Sequence, residues 1–209
     1  MGAERPALRI PGIVRTFQRI CVFCGSAPGR SERYADAAHA LGKDLASKGI
    51  ELVYGGGQVG LMGILADGVL SAHGRVIGVI PHALARLEVA HKGLTELRKV
   101  DTMHERKALM VELSDAFVAL PGGYGTLDEL CEVLTWQQLG IHDKPIALLD
   151  LDGYFRSFLS FLDNALDAGF LRPATRNLLA LCEDPKSVVE TLSRHNIPDR
   201  PRWLQTGQS

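Results

Sequence analysis

The residues best suited to chemistry stand in one stretch, Leu120-Pro121-Gly122-Gly123-Tyr124-Gly125-Thr126-Leu127-Asp128-Glu129. An apolar run, Asp115 to Leu120, leads into three glycines, and helical spacing follows from Leu127 to Gly140. Glycine lets a ligand approach the backbone with no Cβ in the way. The free N–H groups and the dipole of a first helical turn then favour an anion, most often phosphate. The spacing fits neither common phosphate motif. No lysine follows in the P-loop manner, and Gly123-Tyr124-Gly125 is not completed to G-x-G-x-x-G. A nucleoside monophosphate or a sugar phosphate stays open. So does a purely structural role, with Thr126 and Glu129 closing each other's backbone donors as a capping box.

Charged groups lie near this loop in sequence. Thr102-Met103-His104-Glu105-Arg106-Lys107 opens a predicted helix, and Met103, Arg106, Lys107 and Met110 are spaced to share one of its faces. Arg106 could hold a phosphate or hydroxyl through two hydrogen bonds, with Lys107 as a point charge. A solvated basic face packed by its aliphatic stems is the alternative. After the glycines, Glu129, Glu132 and Trp136 fall on one side of a helix, with Asp128 about 100° away from Glu129. A carboxylate beside a bound ribose can bind hydroxyls, stabilise positive charge at the anomeric carbon or activate water. Glu88, in an irregular segment, could reach over the pocket. His104 and His142 are expected at the surface.

These groups need a scaffold, and the chain alternates strand-like and helix-like segments. Strands are predicted at Arg19 to Gly25, Glu51 to Tyr54, Arg75 to Ile80, Asp115 to Leu120 and Pro145 to Asp150. Helices are predicted at Ser31 to Lys48, Leu61 to His73, Thr102 to Leu113, Leu127 to Gly140, Tyr154 to Ala168 and Pro185 to His195, with Pro81 to Lys99 irregular. Such alternation implies an α/β, doubly wound parallel sheet with helices on both faces, whose ligands bind beyond the carboxyl ends of the strands. Gly25-Ser26, Gly55-Gly56-Gly57-Gln58-Val59-Gly60 and Gly122 to Gly125 then open toward one edge and form one nucleotide-sized pocket.

Composition narrows the class. With 209 residues and 46% hydrophobic content, the chain suits one well-buried domain, here 19–197, between an N-terminal extension, 1–18, and a polar tail, 198–209. A net charge of −1 argues against strong nucleic-acid binding. No apolar run reaches the roughly 20 residues that a membrane span needs. Arg5, Arg9 and Arg15 faintly resemble a targeting peptide, but Pro6, Pro11 and Gly12 interrupt any amphipathic helix. Cys21-x-x-Cys24 has zinc or redox spacing yet falls in a strand, without a second pair at finger spacing, so no metal is expected. Free thiols suit a reducing cytoplasm.

Gly55-Gly56-Gly57-Gln58-Val59-Gly60-Leu61-Met62-Gly63, Met103-His104-Glu105-Arg106-Lys107 and the Pro121 to Glu129 loop together resemble the Lonely Guy family of cytokinin-activating phosphoribohydrolases. The resemblance covers about Arg19 to His195. The glycine loop alone also occurs in molybdenum-cofactor carriers and in a DNA-processing family, and the arginine-lysine motif makes the match specific. The resemblance implies a Rossmann-like fold and a homodimer without a cofactor. It also implies hydrolysis of the N-glycosidic bond of N6-modified adenosine 5′-monophosphates, with AMP accepted by many bacterial members. The family's catalytic pair falls on Arg106 and Glu129. Its substrate contacts fall on Glu88, Lys107, Gly122, Gly123, Tyr124, Gly125, Thr126 and Thr135, with no departure at these positions. Gly25, Ser26, Gly56, Gly57 and Met103 complete the expected pocket. A non-enzymatic nucleotide-binding or carrier module is the alternative. Relatives are sometimes labelled lysine decarboxylases, but no lysine here has a convincing setting for pyridoxal phosphate.

Overall fold

The computed structural model describes residues 14–86 and 90–199. Seven parallel strands form one sheet in the order β4-β3-β2-β1-β5-β6-β7. They are β1 (Arg19–Phe23), β2 (Glu51–Tyr54), β3 (Val76–Pro81), β4 (Glu96–Val100), β5 (Ala116–Ala119), β6 (Ile146–Leu149) and β7 (Leu179–Cys182). The chain winds outward from β1 to β4, then returns to pair β5 against the other side of β1, with Ile20 opposite Ala116. That reversal leaves a crevice beyond the carboxyl ends of β1 and β5, the place where open α/β sheets bind ligands.

Both faces of the sheet are covered, so the inner strands read as continuous apolar runs. On one face Ile20, Val22, Leu52 and Tyr54 pack with α1 (Glu32–Ser47), α2 (Gly60–Ser71) and α8 (Val188–Arg194) through Leu41, Leu45, Leu65 and Leu192. On the other, Cys21, Phe23, Val53 and Val79 pack with α4 (Met103–Leu113) and α5 (Tyr124–Leu139) through Met110, Leu130 and Val133. Cys21 and Cys24 therefore lie on opposite faces, as period-two alternation in a strand requires. Glycine sets the spacing between α1 and α2. A Cβ at Gly68 would lie 2.5 Å from the His39 carbonyl oxygen, and one at Gly42 would overlap that of Leu65.

The segment expected to be irregular, Pro81 to Lys99, instead holds the short α3 (His82–Arg86) and strand β4. With Glu96, Arg98 and Lys99, β4 lacks an apolar run because it is an edge strand paired on one side. The strand at Asp115 to Leu120 is consequently the fifth, not the fourth. The opposite edge, β7, was also unpredicted, as was α7 (Pro173–Arg176), while α6 (Arg156–Asp167) starts two residues later than the spacing suggested. His142 is buried, not at the surface. Its Nε2 lies 3.0 Å from the Val133 carbonyl, and its Nδ1 accepts from Lys144 N–H. Among the described residues no helix is long and apolar enough to cross a membrane.

Candidate active site

The loop helix begins earlier than its apolar spacing indicates. Gly123 is the N-cap of α5, with no side-chain cap, and Tyr124 is already helical. Thr126 and Glu129 thus stand inside the helix, and the capping-box alternative does not apply. A capping arrangement forms instead at α4, where Thr102 Oγ1 accepts from Glu105 N–H at 3.1 Å and Glu105 Oε2 accepts from Asp101 N–H at 2.9 Å. That cap starts the helix one turn before Arg106 and directs Arg106 inward.

Arg106 is 9% exposed. Its Nε donates to the Val79 carbonyl at 3.1 Å, within β3, and Nη2 to the Gly55 carbonyl at 3.4 Å, just past β2. Nη1 stands 3.4 Å from Glu129 Oε1 and 3.9 Å from the Met103 sulfur. Glycine at position 55 leaves the guanidinium its place, since a Cβ there would overlap Arg106 Nη2. Glu129 is equally buried, and burial pushes its carboxyl up to about 7. The Arg106 guanidinium pulls the other way, Asp128 adds to the rise, and Lys107 opposes it. A carboxyl poised near neutrality in a cleft is a recurrent mark of a functional group.

Both residues face a cavity of about 370 Å³. All three glycine turns line it: Cys24, Gly25 and Ser26 after β1, Gly55 and Gly57 after β2, and Gly123, Tyr124, Gly125 and Thr126 before and within α5. Val59, Met62, Ile80 and Leu84 supply an apolar wall. Val59 belongs to the second glycine turn, whereas Met62 in α2, Ile80 in β3 and Leu84 in α3 were not singled out for the pocket, because an apolar residue in a helix or strand reads as core. Cys24 was likewise missed as a lining residue, whereas Gly55 lines the cavity as the second glycine turn implies.

Other expected residues are placed elsewhere. Gly122 lines a neighbouring cavity, packed so closely that a Cβ would overlap Thr126 Oγ1. Gly56, at φ +73°, turns from the main cavity and accepts from His91 N–H at 2.9 Å. Met103 is 44% exposed and touches the cavity only through Arg106. The shared face predicted for α4 is therefore split between core and rim. Lys107 does not line the cavity either; its Nζ lies 3.1 Å from both Asp128 and Glu132, tying α4 to α5. Thr135 departs furthest. Its hydroxyl donates to the Cys131 carbonyl at 2.7 Å, and it lines a separate groove of about 130 Å³ with Phe158 and Leu162. Further along α5 than Thr126, it belongs to a different surface of the helix. Glu88 lies outside the described residues.

A family model described as "Possible lysine decarboxylase" matches residues 62–192. A probable cytokinin riboside 5′-monophosphate phosphoribohydrolase of Oryza sativa subsp. japonica is 51% identical over 180 residues, covering 86% of this chain and 74% of the relative. A cytokinin riboside 5′-monophosphate phosphoribohydrolase of Arabidopsis thaliana is 51% identical over 179 residues, covering 86% and 83%. Among solved structures, the molybdenum cofactor carrier protein of Chlamydomonas reinhardtii aligns with a TM-score of 0.62 at 24% identity, over 82% of this chain and 93% of its own. That likeness concerns the fold alone. With more than half the chain matched by the family model and half the aligned residues identical in these relatives, the protein belongs to the Lonely Guy family of cytokinin riboside 5′-monophosphate phosphoribohydrolases.

Proposed function

We propose that this protein hydrolyses the N-glycosidic bond of cytokinin riboside 5′-monophosphates, and of AMP, to free base and ribose 5-phosphate. The observation that carries the reading is the buried Arg106–Glu129 pair facing a glycine-lined cavity. As C1′–N9 breaks, positive charge grows on the ribose and negative charge on the departing purine. Glu129, as carboxylate, stabilises the ribose and guides the attacking water. Arg106 supplies fixed positive charge toward the leaving group or the sugar phosphate. It is not a general acid, because a guanidinium does not give up its proton in a protein. Gly123, Tyr124, Gly125 and Thr126 hold the nucleotide at the start of α5.

The same reading includes a homodimer in the cytoplasm. No residue of α6 is buried, Phe161 and Phe170 are 65% and 86% exposed, and the Thr135 groove runs alongside, an apolar face suited to a second copy. Thr135 would then serve a nucleotide only across such an interface. The four free cysteines fit a reducing compartment.

Chromatography of purified protein incubated with AMP and with isopentenyladenosine monophosphate tests the activity, beside Glu129→Gln and Arg106→Ala. The parent should release base and ribose 5-phosphate, and the variants should lose this while still binding nucleotide. Binding without release by the parent would leave the carrier reading in its place.

A further inference from the structure

The turn after β6 is strained in a way that the proposed chemistry does not use. Asp152 and Gly153 have φ of +54° and +73°, left-handed values that cost a non-glycine residue about 1–3 kcal/mol and persist only where the surroundings hold them. Here Asp150 Oδ1 accepts from Phe155 N–H at 2.8 Å, and Asp152 pairs with Arg33 at the start of α1. The Tyr154 ring meets Tyr34 and Phe155 edge-on, with centroids 5.9 Å and 5.0 Å away. What this arrangement delivers is one contact: the Tyr154 hydroxyl donates to the Gly122 carbonyl at 2.5 Å.

That carbonyl belongs to the glycine loop. In a trans peptide unit the C=O and N–H point in opposite directions, so holding the Gly122 oxygen also aims the Gly123 N–H away from Tyr154. The preceding unit is held likewise, with Pro121 oxygen accepting from Gly25 N–H at 3.0 Å. Gly123 lines the main cavity, and a Cβ on it would meet nothing within 4 Å, so its backbone is open to a ligand. A hydrogen bond to the carbonyl also polarises the peptide and strengthens its N–H as a donor.

We propose that Tyr154 is a positioning residue: its hydroxyl orients the Gly122–Gly123 peptide so that Gly123 N–H, at the N-terminus of α5, receives the 5′-phosphate of the substrate. The inference rests on the nucleotide reading above. Tyr154→Phe tests it, because it removes the hydroxyl and keeps the ring against Tyr34 and Phe155. Calorimetry on parent and variant gives Kd for AMP, ribose 5-phosphate and adenosine, which lacks the phosphate. Steady-state hydrolysis gives KM and kcat, and thermal melting reports the fold. The variant should bind AMP and ribose 5-phosphate about 3- to 10-fold more weakly. KM should follow, with kcat within about twofold and adenosine binding and melting midpoint unchanged. Unchanged Kd for ribose 5-phosphate would overturn the proposal. So would an equal loss for adenosine, which would mean that the whole loop had moved. If the parent binds these ligands but releases no base, the hydrolase reading fails, and the Kd values still decide the role of Tyr154.

Discussion

Arg106 Nη1 and Glu129 Oε1 stand 3.4 Å apart, each side chain 11% exposed, although the residues come from different helices. Neither is satisfied by the other alone. Arg106 also rests on the carbonyls of Val79 and Gly55, whereas burial holds the Glu129 carboxyl near neutrality despite the cation beside it. A buried pair that leaves its carboxyl so high contributes little to stability. Its value lies in a site that can meet developing charge without rearranging.

The Gly55 shelf beneath Arg106 should be intolerant of a single methyl group. In Gly55→Ala the new Cβ would overlap Nη2 and displace the guanidinium. A displacement of about 1 Å is expected to lower hydrolysis roughly 100-fold. Steady-state kinetics beside circular dichroism checks this; full activity in a folded variant would show that Arg106 need not hold its present position.

Glu129 should make both stability and activity depend on pH near neutrality. Its carboxyl titrates at about 7 in the folded protein against an ordinary 4.5, so between those values the native state holds a proton that the unfolded chain has released. Stability therefore falls as pH rises through that window, by an amount on the order of 3 kcal/mol. In Glu129→Gln the drop in melting midpoint between pH 5 and pH 8 should shrink. Because the proposed chemistry uses the carboxylate, kcat of the parent should rise with pH through about 7. A fall through the same range would assign the protonated form to the chemistry instead.

The close approach of α1 and α2 yields a prediction about stability alone. Gly68→Ala would drive a methyl group into the His39 carbonyl, and the helices must separate to admit it. A cost of about 1–3 kcal/mol is expected, read as a fall of roughly 2–12 °C in melting midpoint. An unchanged midpoint would mean that the helices have room to spare.

Legibility of the fold followed burial. The inner strands β1, β2, β3, β5 and β6 are apolar on both faces and were readable as runs, whereas β4 and β7 lie at the edges, and β4 carries charge that hides it. The start of α4 was readable at Thr102, whose side chain caps it. That of α5 was not, because Gly123 stands at its N-cap and the helix begins three residues before its apolar spacing.

For the site, residue types and short spacings determined which groups were candidates: the glycine turns, Arg106 and Glu129 are local signals, and glycine or a charge in such a stretch has few other uses. Tertiary structure alone decided which candidates meet. It brought Arg106 against Glu129 by packing α4 and α5 on one face of the sheet, and it turned Lys107 to Asp128 and Glu132. It also carried Thr135 to another groove and lifted the Glu129 carboxyl by burying it. Distance and desolvation arise from elements remote in the chain, and no spacing within one element encodes them.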